Sequence, residues 1–107
     1  MTLLEFYGIL KTVGIPVWHY EAEQEQTPYI VYQELTTKYM YASSKPYREE
    51  IKIDLAHITK KGLDPTLERL KEVLIDNNIV FTITHGFDEE TKEIGNMFDL
   101  TIYNEME

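Results

Sequence analysis

The segment Asp64–Asn77, DPTLERLKEVLIDN, decides how the rest of the chain must fold. Asp64 can cap the free backbone N–H groups of a helix start. Pro65 suits the first helical position, where its missing donor would be unpaired anyway. Leu63, Leu67, Leu70 and Leu74 recur at spacings of four, three and four, which puts them on one helical face. Glu68, Arg69, Lys71, Glu72 and Asp76 fall mostly elsewhere, so the leucine row needs a cover. Both flanks supply one. Glu49–Ile58 alternates Ile51, Ile53 and Leu55 with Lys52, Asp54 and Ala56, and the stretch from Ile79 alternates Ile79, Phe81 and Ile83 with Val80, Thr82 and Thr84. The centre of the protein is therefore predicted to be a helix lying on a sheet.

Working outward, Thr2-Leu3-Leu4-Glu5 has the spacing of a capping box, and Gly14 with Pro16 closes the helix it opens, at about Thr2–Val13. A short strand is expected at Ile15–Tyr20, and a second at Tyr29–Leu35, apolar on both faces and so buried on both sides or packed on another subunit. After Glu49–Ile58 and the central helix come a strand at Ile79–His85, an acidic loop at Gly86–Gly95 and a last strand at Asn96–Asn104. In that last strand Phe98, Leu100 and Ile102 should face inward. The expected fold is one α+β domain over residues 1–107, ordered α-β-β-β-α-β-β. Its sheet should be mostly antiparallel, with both helices packed on one face.

The connection Thr36–Arg48, TTKYMYASSKPYR, is about twice the usual length between strands. Either the flanking strands extend into it as a long hairpin arm, or it projects as a mobile loop. Tyr39, Met40, Tyr41, Lys45, Tyr47 and Arg48 are its candidate interface residues. Aromatics interleaved with cations can stack nucleotide bases, but they equally suit a protein–protein interface or a loop folded on its own sheet.

Composition narrows these readings. With 43% apolar and 12% aromatic residues, the chain belongs with folded globular domains. It has no cysteine, which removes disulfides, thiolate metal sites and a thiol nucleophile, and suits a cytoplasmic origin. No apolar run approaches the roughly 20 residues of a membrane span, and the N-terminus lacks a basic leader. A net charge of −9 argues against general nucleic-acid binding and leaves acidic faces free to steer a basic partner or order identical subunits.

No motif for catalysis, cofactor or metal binding emerges. Asp54 and His57 stand three apart on a strand and point to opposite faces. His57 continues the inward row and is expected to be half-buried and hydrogen-bonded to the neighbouring loop. His19, His57 and His85 show no metal-ligand spacing, and neither Glu21/Glu23/Glu25 nor Asp88/Glu89/Glu90 has the spacing of a calcium loop. The five isolated glycines form no phosphate loop.

The short first helix, "IPVWHY…TPYIVYQEL", the long connection, "YREEIKIDLAHITKKG", and a helix leading into a terminal hairpin together resemble the tail-completion proteins of long-tailed bacteriophages and prophages. This is the tail-terminator and head–tail joining group, and the likeness spans roughly residues 2–104. It implies a non-enzymatic virion part without cofactor. Such a part is made in the host cytoplasm and assembles with itself into a ring, often hexameric, at the head-proximal end of the tail, between tail-tube and head-connector proteins. It also implies that Thr36–Arg48 is the assembly element. A protein- or peptide-binding module of the same architecture, and a small enzyme without a recognisable motif, are the competing readings.

Overall fold

The computed structural model describes residues 1–106. Its order is α1 (Leu3–Lys11), β1 (Val17–His19), β2 (Tyr29–Ala42), β3 (Lys45–Thr59), α2 (Pro65–Asp76), β4 (Phe81–Asp88) and β5 (Glu93–Glu105). The fold is α+β. One five-stranded sheet runs β1-β2-β3-β5-β4, antiparallel except for the β1–β2 pair.

Both helices begin and end for local reasons. Thr2 accepts from Glu5 N–H while the Glu5 carboxylate accepts from Thr2 N–H, which closes the capping box. Gly14 follows α1 at φ 92°, a left-handed conformation that strains any side-chain-bearing residue. Asp64 Oδ1 caps α2 by accepting from Thr66 N–H at 2.8 Å. At the far end Asn78 is left-handed, Asn78 N–H bonds Ile75 C=O and Ile79 N–H bonds Leu74 C=O. This is the double bond of a Schellman stop. The stop aims the chain straight into β4.

The buried row is Leu70 and Leu74 from α2, Phe6 and Leu10 from α1, and Ile30, Tyr32, Ile51, Ile53, Leu55, Phe98, Leu100 and Ile102 from the sheet. Both helices therefore cover the same sheet face. Leu63 departs from the expected leucine row: at 101% exposure it lies outside the helix, in a left-handed loop position. Helical periodicity does not extend through a residue that precedes the cap.

Two boundaries also move, and one burial differs. The acidic loop expected at Gly86–Gly95 shrinks to Glu89–Lys92, because β4 and β5 pair without interruption up to Asp88↔Glu93. Asp88 makes that tight turn by accepting from Glu90 N–H through Oδ1 and from Lys92 N–H through its carbonyl. Thr36–Arg48 is strand, not loop: β2 and β3 stay paired out to Ala42↔Lys45, and only Ser43 and Ser44 turn, both at positive φ. Positive φ at both central residues matches the strand twist in a two-residue hairpin. Finally, His57 is fully buried rather than half-buried.

Candidate assembly surface

The β2–β3 hairpin is an arm. The helix-covered core reaches Ile51 and Ile102, which pair with each other, and the hairpin continues past them to Ser43-Ser44. Six residues of strand beyond Ile51 extend about 20 Å at ~3.3 Å per residue. The molecule is correspondingly long, 53 × 24 × 24 Å.

Two bulges shape the arm. Glu34 pairs with Ile53 but Thr36 with Lys52, so Leu35 is an extra residue in β2. Met40 pairs with Arg48 but Tyr41 with Pro46, so Tyr47 is an extra residue in β3. Each extra residue reverses the alternation and sharpens the twist. Before Leu35 the even positions Ile30 and Tyr32 face the helices; after it the register places Thr37 and Tyr39 on that side. Leu35 is thereby left exposed.

The six candidate interface residues do not form one cluster. Met40 and Arg48 are cross-strand partners on the face away from the helices. There the Arg48 guanidinium lies 4.2 Å over the Tyr103 ring. Arg48 Nε is buried and 3.0 Å from Glu105 Oε1 at an angle that makes no hydrogen bond, so that contact is an ion pair alone, with the Glu105 side chain exposed. Tyr39 lies opposite Glu49 on the helix side, and that neighbouring carboxylate raises the tyrosine pKa. Tyr41, Tyr47 and Lys45 are exposed near the tip. Met106 N–H to Tyr47 C=O ties the end of β5 to the arm, and the N-terminal ammonium bonds Tyr103 C=O, at 2.8 and 2.7 Å.

A second cluster lies at the β1 edge, where both Glu34 oxygens sit 2.8 and 2.9 Å from His19 Nε2. His19 stacks between Tyr20 and Tyr32, with ring centroids 4.2 and 4.7 Å away. Burial pushes the Glu34 pKa up, but hydrogen bonds from Tyr20 and His19 outweigh it and hold the carboxyl below its ordinary value. Burial also pushes the Tyr32 hydroxyl up to about 12. Residues 15 apart meet here only because β1 joins β2 in parallel, a pairing with no local sequence signal. The pair anchors the chain leaving β1 to β2.

The third group, around His57, is internal. It runs from His85 through Asn96, His57 and Thr66 to Asp64, and holds strands to helix. Among the described residues no three His, Cys, Asp or Glu side chains are placed to hold a metal ion, and no helix is long and apolar enough to cross a membrane.

In comparisons with known proteins, no family model and no curated sequence matches the chain.

Proposed function

We propose that this protein is a non-enzymatic virion component of long-tailed bacteriophages or prophages, of the tail-terminator or head–tail joining kind. It would be made in the bacterial cytoplasm and assemble with itself into a ring at the head-proximal end of the tail. The observation that carries this reading is the arm, which projects beyond the covered core and leaves Tyr39, Tyr41 and Tyr47 exposed. An isolated subunit gains little by presenting three tyrosines to water, whereas tyrosine, methionine and arginine are residues that interfaces favour. The order α-β-β-β-α-β-β and the helix-into-hairpin ending support the same resemblance.

Replacing Tyr39–Tyr47 with a short Gly/Ser turn tests the reading. The core ends at Ile51 and Ile102, so the shortened chain should keep its melting temperature to within a few degrees. Sedimentation and electron microscopy should show that it has lost the assembly formed by the native chain, and the shortened chain should fail to complete tails. A shortened chain that still assembles and completes tails removes the arm from the mechanism and the reading with it.

A further inference from the structure

The arm differs in charge from everything around it. Leu35–Glu50 carries three of the chain's ten basic residues, Lys38, Lys45 and Arg48, and two of its nineteen acidic ones, Glu49 and Glu50, both at its root. Seven cations face seventeen carboxylates in the body that remains. A basic aromatic arm on an acidic body is complementary to another copy of itself, provided that copy offers a place to dock.

Such a place exists at the opposite edge of the sheet. Strand β4 pairs with β5 on one side, and no described segment pairs with its other side. Exposed edges are usually blunted by lysine, proline or a bulge. From Phe81 to Phe87, FTITHGF, β4 has no lysine, proline or carboxylate, and its register with β5 runs unbroken. Beside it, on the face away from the helices, lies a cleft of about 620 Å³ lined by Tyr29, Ile58 and Met97, with Asp88, Glu89 and Glu93 at its acidic end. The outer edge of β2 is also open: β1 covers it only at Ile30–Tyr32, and past the Leu35 bulge Thr36–Ala42 is strand that carries one cation, Lys38. Each chain thus has one uncharged, unprotected edge of seven residues and one open edge of seven with a single lysine.

We infer that the arm of one copy adds as a sixth strand to the β4 edge of the next, its tyrosines reaching the Tyr29–Met97 cleft and its cations the carboxylates at the end of β4. The inference rests on the proposed self-assembly and names the surface that receives the arm. Giving and receiving surfaces differ, so the contact is head-to-tail and leaves each copy able to do both, which is the requirement for a closed ring. A two-fold β4–β4 pairing would instead bring two acidic bodies together without the arm's cations.

The test uses a chain that can only give and one that can only receive. Thr82→Lys with Thr84→Lys blunts β4 at two exposed positions and leaves the arm intact. Lys38→Glu with Lys45→Glu disables the arm without changing its length, and the Gly/Ser-turn variant does so by removing it. Each should melt like the native chain and sediment as a monomer. Mixed, the β4 variant and either arm variant should form a one-to-one pair of twice the 12.6 kDa chain mass and grow no further. A β4 variant that assembles as the native chain does overturns the assignment of β4 and leaves the ring reading standing. A mixture that yields no pair overturns the head-to-tail contact. A native chain that stays monomeric at every concentration removes both.

Discussion

His57 Nε2 donates a hydrogen bond to Thr66 Oγ1 at 2.8 Å, inside the core. The direction follows from proton counting. Thr66 has one hydroxyl hydrogen and gives it to Asp64 Oδ1, so toward His57 it can only accept. His57 Nδ1 must then accept from the Asn96 amide at 3.2 Å, and Asn96 Oδ1 accepts from His85 Nδ1. One directed chain of hydrogen bonds ties the β4–β5–β3 layer to the N-cap of α2. Thr59 Oγ1 takes the remaining Asp64 oxygen at 2.6 Å.

Thr66→Val cuts this chain at its middle while keeping side-chain shape and the backbone cap. It strands a buried imidazole N–H, which should cost about 1–3 kcal/mol. The urea midpoint should fall accordingly. A change within error would mean that water reaches His57.

Acid should weaken the fold in two windows. Burial holds the His57 pKa below its ordinary 6.5, so the unfolded chain binds the extra proton more readily and stability drops as pH falls below about 6.5. Burial pushes Asp64 up, but its bonds from Thr59 and Thr66 outweigh that and hold it below 3.8, so its share is present above that pH and disappears below it. Urea titrations of the native chain and His57→Gln from pH 8 to 5 separate the first window from the general change in charge. Parallel slopes for the two would show that His57 does not set it.

Leu70→Ala should cost about 2–5 kcal/mol, since Leu70 is fully buried under the sheet. Leu63→Ala should cost nothing measurable, because that side chain is in solvent. Equal losses would place both leucines in one buried row.

Asp54 and Asp99 stand directly opposite each other on the uncovered face of β3 and β5. Like charges in that relation repel, so Asp99→Asn should raise stability by about 0.5 kcal/mol. The gain should shrink in 1 M salt, where the screening length falls to about 3 Å. A gain indifferent to salt would point to a cause other than charge.

The elements, and the buried faces of most of them, are legible in local sequence. The Thr2–Glu5 box, the Asp64-Pro65 start and the alternations of Ile51–Leu55 and Phe98–Ile102 are short-range patterns, written by bonds and periodicities within a few residues. The sequence also marked Thr36–Arg48 as unusual, but gave no choice between loop and arm. The pairing of β2 with β3 settles it, because strand continuation depends on a partner found across the sheet rather than on the strand's own residues. The same holds for the Leu35 and Tyr47 bulges, the meeting of His19 with Glu34, and the chain from His85 to Asp64. Each joins residues whose neighbourhood is created by pairing register, and register is a property of two strands at once.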